Sequence, residues 1–118
     1  MTTPSSIEPA QLPPTIRGYL GAHAARDTEA ALRAFTPTAV VVDQGESFRG
    51  TDEILGFLRE AGAEFSYTTE LISARRIDDA RWVATNRLKG DFPGGVADLD
   101  YRFTMNGDLI AELVIAPR

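Results

Sequence analysis

A chain of 118 residues with 43% hydrophobic content has room for one compact domain and none for a second. Its 17 acidic residues against 12 basic ones give a formal charge of -5, the wrong sign for a surface that tracks phosphates, so nucleic acid is not an expected partner. The absence of cysteine excludes disulfides, thiolate nucleophiles and Cys-ligated metals, and the lack of any long apolar run or signal-like start points to a cytoplasmic protein with no membrane partner.

Residues 1–13 combine Pro4, Pro9 and Pro13 with Ser and Thr and hold few apolar groups, which predicts a flexible tail ahead of a single domain over 14–118. Pro13 and Pro14 suit a helix start, and Ile16, Tyr19, Leu20, His23 and Ala24 recur at helical spacing, predicting a helix over about Thr15 to Arg26. Asp27 or Thr28 can cap a second helix from Glu29 to Phe35, which Pro37 prevents from continuing. Ala39 to Asp43 is β-branched and apolar on both faces, the pattern of a strand covered on both sides, and Gln44-Gly45-Glu46 reads as a turn. Thr51 as N-cap, followed by Asp52 and Glu53 and the stripe Ile54, Leu55, Phe57 and Leu58, predicts a third helix ending near Gly62.

The rest reads as strand: Phe65 to Ile77, Trp82 to Leu88, Val96 to Thr104 and Leu109 to Ile115, with Asn106-Gly107 a strong hairpin signal. Alternation places Ala97, Leu99, Tyr101 and Phe103 inward and Asp98, Asp100 and Arg102 outward. An α+β fold is expected, three helices from the first half of the chain packed on the concave face of a curved, cone-shaped antiparallel sheet. Val40 and Val42 face away from Asp43, and their outward apolar surface suggests a homodimer through the outer face of the sheet.

Two helices, a strand ending in FTPTAVVVD, a helix opened by FRGTDEI and a closing hairpin YRFTMNGDLIAELVI together resemble the nuclear transport factor two-like superfamily, in its SnoaL-like polyketide cyclase and ketosteroid isomerase branch. The resemblance covers about Ile16 to Pro117. It implies a cone-shaped pocket for a small hydrophobic or cyclic molecule and chemistry that needs no cofactor. Asp43 matches the position of the general base in the ketosteroid isomerase pattern. Tyr19 matches the tyrosine that donates to the developing oxyanion, and His23, one turn on, matches a pocket-lining position. Enolisation needs such a pair, a carboxylate to remove a proton beside a carbonyl and a donor to stabilise the enolate. The third member of that pattern, a protonated carboxylic acid, is replaced here by Leu99, so the resemblance does not extend to steroid isomerisation in the strict sense.

The residues themselves name Trp82, Tyr67, Tyr101 and Phe103 as walls for a flat or cyclic ligand and Asn86 as a polar group to orient it. No His or carboxylate spacing suggests a metal site, and no glycine pattern cradles a phosphate. Three functions follow: an acid–base isomerase, cyclase or dehydratase using Asp43; a non-catalytic binding or structural domain, favoured by the missing second acid; and an epoxide hydrolase, which would need Arg87, Asp98, Asp100 and Arg102 inside the pocket.

Overall fold

The computed structural model describes residues 5–60 and 67–118, and the elements run β1 (Ser5–Ile7), a 3-10 turn (Pro9–Gln11), α1 (Pro14–Ala24), α2 (Thr28–Leu32), β2 (Phe35–Asp43), β3 (Glu46–Arg49), α3 (Gly50–Glu60), β4 (Tyr67–Arg76), β5 (Arg81–Gly90), β6 (Val96–Asn106) and β7 (Leu109–Pro117). The strands form one sheet in the order β1-β4-β5-β6-β7-β2-β3. The neighbouring strands pair antiparallel, except that β2 lies parallel to β7. The three helices cover one face, and Ile16, Tyr19, Ile54, Ala84, Phe103 and Leu113 meet beneath them in the core. This is the expected α+β cone, with a mixed sheet where an antiparallel one was expected, because the strand ending at Asp43 runs parallel to β7.

Local chemistry explains the departures at the element ends. The Asp27 carboxylate accepts from the Ala30 N–H (3.2 Å) and so serves as the N-cap of α2. That helix stops at Leu32, and Phe35, expected at its end, instead opens β2. Pro37 lies within β2 with no N–H to give, and the β2–β7 register breaks between Phe35 and Val40 to accommodate it. Glu46, expected in a turn, pairs with Asp43 in a hairpin whose two loop residues, Gln44 and Gly45, have φ of 53° and 79°, as the tightest hairpin loops require. α3 begins at Gly50, where the Arg49 N–H donates to the Glu53 carboxylate (2.9 Å); Gly62 and Phe65, expected at its end and at the start of β4, lie outside the described residues.

The tail reading of residues 1–13 needs correction over its described part. Ser5–Ile7 adds an edge strand to β4, Ile7 packs on the core, and Leu12 is only 2% exposed. Composition missed this because two apolar side chains suffice when a sheet edge supplies backbone hydrogen bonds and the core already has a socket. Leu12→Ala is accordingly expected to lower unfolding free energy by roughly 2–5 kcal/mol in a denaturant titration, whereas a residue in a solvated tail would leave the midpoint unchanged.

Candidate active site

A β-strand residue shares its face with the residue directly opposite it on the next strand. Register therefore sets the floor of the site. Ala74 opposes Ala84, Ala84 opposes Tyr101, Tyr101 opposes Ile115, and Ile115 opposes Asp43, so one row crosses the concave face from β4 to β2. Asp43 and Tyr101 stand two strands apart in that row, roughly 10 Å between backbones. The tight turn at Gln44-Gly45 holds the Asp43 end of β2 at the mouth of the cone.

The mouth opens into a cavity of about 430 Å3. Asp43, His23, Tyr67, Tyr101 and Leu99 line it, joined by Phe57 and Glu60 from α3, by Gln44, Leu88, Ala97 and Ile115, and by Phe92-Pro93 from the β5–β6 loop. Most of the wall is apolar. Burial pushes the Asp43 carboxyl above its ordinary range, with the Glu46 carboxylate adding to the effect. Burial lowers His23 from the usual imidazole value, and the Arg26 guanidinium reinforces the shift, so the ring is neutral at pH 7. The Tyr101 phenol is pushed up by burial first and then by Tyr67 and Asp43, which keeps it a hydrogen-bond donor.

Tyr19 sits behind this cavity, fully buried in the core. Its ring stacks on His23 (5.7 Å between centroids) and meets Phe35 (5.3 Å) and Phe103 (5.9 Å) edge to face. Its hydroxyl has no hydrogen-bond partner among the described residues. Burial raises its pKa well above the ordinary phenol value, and Tyr101, Asp43 and Tyr67 push in the same direction. Tyr67 in turn lies under the Arg26 guanidinium, 5.3 Å from its ring centre. Arg26 is where α1 ends: it has φ 57°, and the next N–H, of Asp27, returns to the Ala22 carbonyl (2.8 Å) to close the helix.

Asp43, His23, Tyr67, Leu99 and Tyr101 are thus brought together, with Tyr19 immediately behind. Three expected wall residues are not at this cavity. Phe103 is core, one row deeper than Tyr101 and sealed by Tyr19. Trp82, opposite Phe103, lies beyond that seal in a separate groove with Arg75 and Arg102, its indole N–H buried and unpartnered among the described residues and Arg76 over its ring. Asn86 is buried on the other flank of α1. Strand parity chose the right face for these residues, but the depth at which a helix closes a cone is not written in parity.

Sequence reasoning missed Glu60, Gln44, Phe57 and Phe92. Glu60 follows Phe57 by three residues, a spacing that puts both on one helix face and was the available signal. The loop pair Phe92-Pro93 carried only a turn signal.

The charged alternates of β6 point outward. Arg87 grips Asp98 through two hydrogen bonds (2.9 and 3.0 Å), while Asp100 accepts from the Thr85 hydroxyl (2.6 Å) and pairs with Arg75 (3.4 Å). The Asp-Arg-Asp arrangement that epoxide hydrolysis would need is therefore on the opposite side of the sheet from the cavity. Among the described residues no group of three metal-ligating side chains is present, and no helix is long and apolar enough to cross a membrane.

No family model and no curated protein matches the sequence, but solved structures do. A candidate polyketide cyclase from Sinorhizobium meliloti is 31% identical, with 93% of this chain and 100% of the other covered at a TM-score of 0.85. A Catenulispora acidiphila protein with a ketosteroid isomerase-like fold, solved with trimethylamine, is 15% identical (88% and 85% covered, TM-score 0.76). A Mycobacterium tuberculosis protein solved with estradiol-17beta-hemisuccinate is 14% identical (88% and 91% covered, TM-score 0.71). With its cone, its row from Asp43 to Tyr101 and this degree of identity, the chain belongs to the nuclear transport factor two-like superfamily, in the SnoaL-like branch of polyketide cyclases and ketosteroid isomerase-like proteins.

Proposed function

We propose that the chain is a cofactor-independent acid–base enzyme, an isomerase, cyclase or dehydratase acting on a small cyclic carbonyl compound, with Asp43 as the base. One observation carries this reading: a carboxylate with a raised pKa stands on the concave face of a largely apolar cavity, in the same sheet row as a buried phenol. Desolvation makes Asp43 a stronger base than a solvated aspartate, and the apolar walls favour a flat ring. Asp43 takes the proton beside the substrate carbonyl, and the electron pair moves to oxygen. The Tyr101 or Tyr67 phenol donates to that oxygen, with the Tyr19 hydroxyl behind them as a further donor. Return of the proton at a second carbon gives isomerisation, and attack of the enolate carbon on a second carbonyl gives cyclisation. The steroid ester bound by the mycobacterial neighbour supports a ligand of this shape and size.

The test needs no knowledge of the product. Cyclic ketones and aromatic polyketides incubated with the protein in deuterated water should exchange the protons beside their carbonyls, a gain read by mass spectrometry. Because the folded Asp43 pKa lies above 3.8 and the base must be ionised, the exchange rate should climb with pH through a midpoint above 3.8 and then level off. A flat profile, or exchange equal to that of free buffer, would leave the protein as a binder. That second reading has one observation in its favour, the side chain of Leu99 lining the cavity where the family pattern has an acid.

We also propose a homodimer through the outer sheet face, where Val40, Val42 and Val114 are only half-buried in the single chain and lie beside Arg49, Ser47 and Arg102. Sedimentation at micromolar concentration should give twice the mass of one chain.

A further inference from the structure

On the flank of α1 away from the candidate active site, a second cleft of about 340 Å3 runs between the helix and the sheet. Its apolar walls include Ala10 of the 3-10 turn, Leu20 of α1 and Leu71 of β4, and Arg17 and Thr69 also line it. It exists because the N-terminal segment is docked: β1 pairs with β4, and the Arg17 guanidinium donates to the Leu12 carbonyl (3.0 Å), which fixes the turn against the helix. A bulge between Leu71 and Ser73 bends β4 at this point.

At its floor is Asn86, 3% exposed. The Asn86 carboxamide makes no side-chain hydrogen bond to a described residue. Among the described residues the sealed polar atoms without a partner are the Tyr19 hydroxyl and the Trp82 indole N–H; the Asn86 amide is not one of them, so it keeps access to the cleft and is free to bond a partner from outside the chain. Water is a poor answer. At about 30 Å3 each, on the order of ten waters would fill the cleft, against walls that are mainly carbon. Such loosely held water is displaced favourably by an apolar ring. We infer that this cleft is a second ligand site, taking a small cyclic molecule of one or two rings that bears a single hydroxyl or carbonyl oxygen for Asn86. Its volume lies within the roughly 300–1,000 Å3 span of small-molecule pockets.

The chain carries its own reporters for a test. It has four side-chain amides, Gln11, Gln44, Asn86 and Asn106, of which Gln44 lines the candidate active site and Asn86 the second cleft. Uniformly 15N-labelled protein is titrated with 2-naphthol, and the Asn86 amide resonances are identified by their loss in Asn86→Leu. The Asn86 signals should move saturably. They should still move in Ala97→Phe, which fills the other cavity, and should be silent in Gly21→Leu. A Cβ at Gly21 meets nothing within 4 Å, so a side chain there starts in open space beside the cleft, and replacing glycine favours the helix. Asn86→Leu should weaken binding at this cleft by roughly three- to tenfold, the worth of one neutral hydrogen bond, read through the backbone amides of Leu71 and Leu20. The inference is overturned if the Asn86 signals stay fixed, or if they move only together with those of Gln44 and stop moving in Ala97→Phe. Neither result depends on Asp43 being a base.

Discussion

Replacing Asp43 by Asn is expected to lower proton exchange or turnover by a factor of about 100 or more while leaving ligand affinity within a few-fold of the parent. Asparagine keeps the shape of the side chain and its place at the end of β2, beside the Gln44-Gly45 turn. It cannot accept a proton at any useful pH. The same substitution should raise thermal stability at pH 7. Folding raises the Asp43 pKa above 3.8, so the folded state prefers the neutral acid, and the stability lost as pH rises past 3.8 and through the folded value is regained when the charge is removed. That gain should fade below about pH 3.8, where the native carboxyl is neutral in both states. Loss of activity with a gain in midpoint at pH 7 is the signature of a base held in a desolvating site. Unchanged exchange with an unchanged midpoint would identify Asp43 as no more than the last residue before a hairpin turn.

The second large effect is expected at Tyr19, where two substitutions separate packing from chemistry. Tyr19→Ala removes a ring that touches His23, Phe35 and Phe103 and opens a cavity beneath α1, at a cost of roughly 3–5 kcal/mol in unfolding free energy. Tyr19→Phe keeps the ring and deletes only a hydroxyl that has no hydrogen-bond partner among the described residues. Unfolding free energy should therefore stay level or rise by up to about 1 kcal/mol, because a buried unsatisfied donor has been removed. If that hydroxyl meets the substrate oxyanion, exchange should nonetheless fall about tenfold, less than for Asp43→Asn because Tyr101 and Tyr67 remain at the cavity. A Tyr19→Phe protein with full activity would place the donor role on the other two phenols alone.

Much of the fold was legible because its signals are local and periodic. α1 and α3 follow from apolar residues at helical spacing, and β4 to β7 from alternation and turn residues, which act within a few residues whatever surrounds them. The inward set Leu99 and Tyr101 and the outward set Asp98 and Asp100 were readable for the same reason: a strand side chain has only two directions. Asp43 was legible as a concave-face carboxylate from parity with Ala39 and Val41, both fully buried.

What parity and propensity leave undecided is distance along a face and the behaviour of segments with few apolar groups. Tyr101 and Phe103 share a face, yet one lines the cavity and the other is sealed, because Tyr19 of α1 covers Phe103 while Tyr101 faces the cavity beside His23. Trp82 lines a groove whose other walls include Arg102 and Val114 of the outer sheet face, and Asn86 lines a cleft beside α1. Glu60 reached the mouth only through the packing angle of α3. The segment before Pro13 reads as solvated on composition and joins the sheet because β4 offers an open edge and the core offers Leu12 a socket. By itself, then, the sequence determined α1, α3, the strands β5 to β7 with their inward faces and the carboxylate at the end of β2. Which inward residues reach a ligand, and that a second cleft exists at all, were decided by the tertiary structure, since both depend on where separate elements cross and no periodicity within one element encodes that.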